Sequence, residues 1–261
     1  MWPFDQWRRR RVLHDALIED IAWQKALRNH PILAGLTADE LSRLRELATL
    51  FEHEKLFEPV RGLVLEPPMR ISIAVQACLP ILNLGFDWYD DWRTLIIYPA
   101  EFVRPREEFD PVGVMHQWEE TLEGESWQLG PVVLSWADVD ASGWGDGYNV
   151  VIHEMAHKLD MRSGDADGFP PLHRNMRTRE WTVAFTAAFE DINRRLEAGK
   201  ACPLDAYAAE SPAEFFAVLS EYFFEQPQLV HVAYPEVYRQ LGLFYRQDPA
   251  RRLSPATQER G

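Results

Sequence analysis

The sequence predicts an α+β domain, in which a small mixed sheet supports one chemistry-bearing helix and additional helices pack around it, several of them N-terminal. Three observations predict this. Short β-rich runs bounded by proline or glycine lie in the middle of the 261-residue chain. Stretches with apolar residues at three- and four-residue spacing flank them on both sides. Between the two lies His153-Glu154-Met155-Ala156-His157, set in an apolar stretch behind a glycine-rich loop.

In chain order, residues 5 to 50 read as helical, with Leu13, Leu17, Ile21 and Leu27 on the spacing and a break at Pro31. Thr37 followed by Glu40 is a capping-box signature for the next helix. Residues 61 to 65 read as a strand and residues 71 to 84 as a buried helix kinked at Pro80. Residues 94 to 98, 112 to 118 and 128 to 136 read as further strands. Ser142-Gly143-Trp144-Gly145-Asp146-Gly147-Tyr148 then forms a loop, and no Gly-Lys-Ser/Thr follows that would make it a phosphate loop. Helices are expected at about 149 to 161, 179 to 198, 212 to 225 and 234 to 246. The organisation expected is an N-terminal helical segment over 1–58, a catalytic domain over 59–248 and a loose tail over 249–261.

Bulk properties exclude several function classes. Net charge is −14, from 27 basic and 41 acidic residues, so direct nucleic-acid binding is disfavoured. The run of arginines at positions 8 to 11 reads as a solvated helix face, and no apolar stretch follows it as a targeting signal requires. No window reaches the ~18 apolar residues of a membrane span. Cys78 and Cys202 make no disulfide framework and read as buried free thiols, which places the chain in the cytoplasm. With 46% hydrophobic residues the chain can bury a core without staples, so a metal here serves catalysis rather than folding.

The chemistry is carried by residues 150 to 160, Val-Val-Ile-His-Glu-Met-Ala-His-Lys-Leu-Asp. On a helix, His153 and His157 stand one turn apart on one face, where two imidazoles reach one Zn2+ ion. Glu154 sits beside the first, placed to take the proton of a metal-activated water as general base. An exposed histidine pair is the plainer alternative. Against it, Val151, Met155 and Leu159 repeat at four-residue spacing and Asn149 can cap the start, so this is a packed helix. Asp165 and Asp167 in the next loop offer too few oxygens for calcium.

Such a site needs a third protein ligand. No third histidine follows at the required spacing, which leaves a carboxylate on a later helix. Glu210, Glu214 and Glu221 are the candidates. Ser211 and Pro212 mark a helix start and place Glu214 where a capping-box glutamate also sits. Spacing divides the choice between Glu214 and Glu221, which share a face, with Glu210 behind them.

The motifs from Asn149 to Asp160 and from Ser211-Pro212-Ala213-Glu214 to Phe224 resemble the Mlc titration factor A family of bacterial zinc peptidases. Gln76-Ala-Cys-Leu-Pro80 and Gly130-Pro-Val-Val-Leu-Ser-Trp136 extend the resemblance over most of the chain. In fold and site the family is similar to the catalytic domain of anthrax lethal factor. The resemblance implies a zincin-like fold, one Zn2+ per chain on His153, His157 and Glu214, the base Glu154 and a catalytic Tyr207. A phenol there can donate to a developing oxyanion. Where the wider pattern has an acid supporting a histidine, this chain has Val218, and Asp160 or Glu221 is expected to take over.

The site predicts peptide substrates, and the resemblance adds aminopeptidase action on short substrates and binding of a transcriptional repressor, Mlc, that controls glucose phosphotransferase-system expression. An acid is then needed for the substrate's α-amine, and Asp205 and Glu210 lie near Tyr207 in sequence. Two other readings share the site: a repressor-sequestering protein with a vestigial or regulatory zinc, and a hydrolase of non-peptide amides or esters. The loops at 140 to 148 and 161 to 178 are the expected cleft walls.

Overall fold

A computed structural model describes residues 3–100 and 130–253. The N-terminal third forms helices α1 (Pro3–Asp15), α2 (Asp20–Asn29) and α3 (Ala38–Glu54). Thr37 and Glu40 do form a reciprocal capping box on α3. Strand β1 follows at Leu56–Pro59, then α4 (Pro67–Cys78) and β2 (Thr94–Tyr98). After residue 130 come β3 (Val132–Ser135), α5 (Trp136–Ala141), α6 (Val150–Asp160) and α7 (Thr178–Glu197). The chain continues with α8 (Pro212–Glu225), α9 (Pro227–Ala233), α10 (Pro235–Tyr245) and α11 (Pro249–Leu253).

The fold is α-rich with a small sheet, as the sequence implied, but among the described residues the sheet is parallel rather than mixed. Its order is β1-β2-β3, with Leu56 opposite Thr94 and Leu95 opposite Val132. The strand expected at 61 to 65 sits instead at Leu56–Pro59, because Arg61 and Gly62 take positive φ and turn the chain. Position 58 therefore lies inside the first strand. The strand expected at 112 to 118 lies outside the described residues. The helix expected to kink at Pro80 stops at Cys78, and a bend at Leu79 leads into turns over residues 80 to 84. Trp136, taken for the end of a strand, begins α5, because the Ser135 hydroxyl accepts from the Asp138 N–H and caps a helix there.

Two further expectations fail. The arginine run is not all solvated: Arg9 is buried and donates to Glu54, Asp87 and Asp90, tying α1 to the turn before β2. The loose tail at 249–261 is not loose over its first residues, since α11 docks with Ala250 buried and its N–H on Tyr238 Oη at 2.9 Å. Both cysteines are free, with Cys78 buried and Cys202 only half-buried. No helix among the described residues is long and apolar enough to cross a membrane.

One apolar core runs from α2 to α11. Helix α6 lies at its centre, against β3, α4 and α8, with Val151, Ile152, Met155, Ala156 and Leu159 fully buried. Burying each large member of that stripe contributes roughly 1.5–3 kcal/mol. That exceeds what a helix of 11 residues holds by itself. Packing on this face leaves His153, Glu154 and His157 on the open side.

Candidate metal centre

Two capped helix starts build the centre. The Asn149 side chain accepts the Ile152 N–H at 2.9 Å and fixes the start of α6, which carries both histidines. Ser211 Oγ accepts the Glu214 N–H at 3.1 Å at the start of α8, with Pro212 in the first turn. The Glu214 side chain does not complete a capping box. It reaches across to the histidines, its Oε2 lying 3.0 Å from His153 Nε2 and 3.4 Å from His157 Nε2.

The two Nε2 atoms are 3.2 Å apart, and the three candidate ligand atoms lie within 4.8 Å of one another. Glu214 Oε2 is nevertheless buried without a hydrogen bond of good geometry. Three ligand-type atoms thus converge on one point, and two imidazoles with one carboxylate fit the donor set of a metal site. The residues present could hold a metal ion, and this was the only such group found among the described residues.

Glu221 and Glu214, equivalent by spacing, divide the work. Glu221 Oε1 takes His153 Nδ1 at 2.8 Å, on the side of the ring away from Glu214, and Oε2 takes the Asn149 N–H at 2.6 Å. Glu221 thus stands where Val218 leaves a gap. Asp160 does not meet His157: its Oδ2 accepts the Gly168 N–H at 2.7 Å. Gly168 has φ +79°, and a Cβ there would lie 2.4 Å from the Pro212 carbonyl oxygen. Asp160 therefore acts by pinning the loop after α6 against the start of α8. Glu210 is exposed and outside the centre.

Electrostatics follow this geometry. Burial opposes charge on His153, but bonds to Glu214 and Glu221 outweigh it and raise the imidazole to about 10. Burial likewise pushes Glu214 up, while both histidines more than reverse this and hold it well below the usual carboxylate range. Burial raises Asp160 to about 6 and lowers Lys158 to about 8, the latter partly offset by Glu154.

The centre opens into a cleft of about 410 Å³ that includes Glu154, Lys158, Asp138, Tyr98 and Tyr207. Tyr207 sits on a short 3-10 turn (Ala206–Ala209), with its ring centroid 6.0 Å from that of His153. Of the expected walls, residues 161 to 178 supply Met161 and Ala166, but the loop at 140 to 148 is not part of the lining. The sequence reading missed Asp138, half-buried on α5 and in the cleft, whereas Asp205 and Glu210 are exposed and line none of it. The missing signal was the Ser-x-x-Asp cap that starts α5.

Comparison with known proteins agrees with this arrangement. A model of the glucose-regulated metallo-peptidase M90 family matches residues 4–246. The chain is 40% identical over 254 residues to Mlc titration factor A of Enterobacter sp. (strain 638), covering 97% of this chain and 93% of the relative. It is 40% identical to Mlc titration factor A of Escherichia coli (strain 55989 / EAEC), covering 98% and 94%. It is 41% identical to that of Escherichia fergusonii, covering 89% and 88%. Fold, donor set and near full-length similarity lead to one conclusion: the chain belongs to the glucose-regulated metallo-peptidase M90 family.

Proposed function

We propose that this protein is a zinc-dependent peptidase, acting as an aminopeptidase on short peptides in the cytoplasm, and that it also binds an Mlc-like transcriptional repressor. The observation that carries the hydrolytic reading is the convergence of His153, His157 and Glu214 beside Glu154 in one cleft. One Zn2+ per chain would be held by those three residues and would supply Lewis-acid activation of water and of the scissile carbonyl. Glu154 takes the proton from the attacking water and returns it to the departing amine. Tyr207 donates its phenol to the oxygen that gains charge as the carbonyl carbon becomes tetrahedral. Glu221 keeps His153 in the orientation that presents Nε2.

The aminopeptidase reading needs a negative group for the substrate's α-amine. Asp138 fits that need: it lines the cleft, and the return bond of a capping box to Ser135 does not engage its carboxylate. The repressor reading is supported by the relatives' name, Mlc titration factor A. A net charge of −14 is compatible with a basic partner.

The test pairs zinc content with hydrolysis of aminoacyl p-nitroanilides and N-blocked peptides, for wild type and Glu154→Gln. One zinc per chain in both proteins, with turnover of free-amine substrates only by wild type, is the expected result. Absence of zinc, or equal turnover by both, overturns the peptidase reading. Zinc without turnover on any substrate moves the conclusion to a repressor-sequestering protein, which the relatives' name favours. Co-elution of an Mlc-like repressor with Glu154→Gln then shows whether binding is independent of hydrolysis.

A further inference from the structure

Beneath the start of α6 runs a chain of buried polar side chains that lines none of the cleft and extends beyond Glu221 to residues with no part in the proposed hydrolysis. Glu225, 4% exposed, lies one helical turn beyond Glu221. Both of its oxygens are acceptors: Oε2 takes the Gly145 N–H at 2.5 Å and Oε1 takes Asn149 Nδ2 at 2.8 Å. Asn149 is fully buried and has every amide group committed. Its second Nδ2 hydrogen goes to Gln76 Oε1 at 2.9 Å, Oδ1 caps Ile152, and its backbone N–H goes to Glu221 Oε2. Glu221 holds the metal-ligand candidate His153. A continuous series of hydrogen bonds thus joins the glycine loop to the metal centre through two carboxylates and one asparagine.

The loop is built to meet this series. Gly143 has φ +91°, and a Cβ there would lie 2.9 Å from His30 Nδ1 and 3.2 Å from Gln76 Oε1, so only glycine lets the backbone close on that glutamine. Gln226 Nε2 donates to the Gly145 carbonyl at 3.3 Å, holding the turn from its other side. Gln76, the first residue of the Gln76-Ala-Cys-Leu-Pro80 motif, is fully buried and anchors Asn149 from α4. Two buried carboxylates one turn apart carry a desolvation cost and repel each other. Neutral side chains such as Gln76 would join loop to helix at lower cost if stability were the only purpose.

We propose that Glu225 is a positioning residue for the metal centre, whose carboxylate couples the conformation of the loop at 142 to 147 to the seat of His153. The inference rests on the zinc reading above. An amide at 225 sets an NH2 group against either the Gly145 N–H or the Asn149 amide, donor against donor. Asn149 then loses its fixed plane, Glu221 loses a firmly placed donor, and the His153 ring loses orientation. Coupling of this kind is reciprocal, so zinc at His153 must quiet the loop.

The experiment uses the full chain, with zinc affinity measured by chelator competition and amide hydrogen exchange measured over residues 143 to 149, with and without zinc. In wild type, zinc is expected to slow exchange at Gly145 and Asn149. In Glu225→Gln, zinc affinity is expected to fall by about 10-fold and the zinc dependence of exchange to vanish. A variant of lower Tm with zinc affinity within about two-fold of wild type shows a merely structural role and overturns the proposal. Should the variant not fold, wild type decides alone, because exchange unchanged by zinc also overturns it. Zinc uptake without a loop response removes only this inference, whereas a wild type that takes up no zinc removes the peptidase reading with it.

Discussion

Glu221 Oε1 lies 2.8 Å from His153 Nδ1, on the edge of the imidazole opposite Glu214, so two carboxylates from one helix grip the two nitrogens of one ring. The Glu221 contact at Nδ1 leaves Nε2 as the nitrogen that would face a bound metal. Glu221→Gln keeps the size of the side chain but sets an NH2 group against His153 or the Asn149 N–H. Zinc affinity, measured by competition with a chromogenic chelator, is expected to fall roughly 10- to 100-fold. An affinity equal to wild type would mean that Glu221 does not orient the ligand.

Glu154 lies in the cleft and outside the ligand cluster, a position that suits the proposed general base. Glu154→Gln is expected to retain zinc and lose activity by about 10²- to 10⁴-fold, the usual contribution of general base catalysis. Metal analysis and initial rates on one preparation check both halves.

Tyr207 faces the centre from a turn, with its ring exposed. Removing only the hydroxyl in Tyr207→Phe is expected to lower kcat by about 10²- to 10³-fold with KM and zinc content little changed, as for loss of an oxyanion donor. A rise in KM at constant kcat would instead assign Tyr207 to substrate binding.

Asp138→Asn tests the amine subsite. The expected outcome is a fall of roughly 10- to 100-fold in kcat/KM for substrates with a free α-amine, corresponding to loss of a charged hydrogen bond of about 1.5–3 kcal/mol. Whatever turnover N-blocked peptides show should stay the same. Equal losses on both classes would remove Asp138 from that role.

His30 supplies a pH dependence. Burial lowers its imidazole from 6.5 to about 4, so the unfolded chain takes up the proton first as the solution is acidified. The stability held by neutral His30 is fully present above pH 6.5 and is lost as pH falls from there toward 4. The loss is on the order of 3 kcal/mol at most. Burial raises Glu225 to about 7, which works in the opposite sense, its contribution declining as pH rises from 4.5. Both proteins share that term, so the difference in Tm between wild type and His30→Gln from pH 7 to pH 4 isolates His30. Parallel curves would count against the assignment.

Local signals were legible from the sequence wherever the chain's own chemistry settles a conformation. Thr37 with Glu40, Asn149, and Ser211 with Pro212 each mark a helix start that the structure contains, because a cap is a contact between neighbours in sequence. The spacing of His153 and His157 was equally local. The first strand was misplaced by a few residues because Arg61 and Gly62 turn the chain where apolar content suggested it ran straight. The buried Arg9 was hidden because its partners Asp87 and Asp90 are far along the chain.

By itself the sequence determined the helix of the candidate metal centre, its cap, its apolar face and the two histidines, since one helical period settles all four. Spacing left Glu214 and Glu221 equivalent, and although the family resemblance pointed to Glu214, the geometry that sets Glu214 beside the histidines and Glu221 behind them belongs to the tertiary structure. The two glutamates are two turns apart on one face of α8, and only the packing of that helix across α6 puts one at Nε2 of His153 and the other at Nδ1. Asp138 entered the cleft in the same way, by the packing of β3 and α5 against α6. Contacts between distant segments depend on where a core closes, which no local pattern of residues encodes.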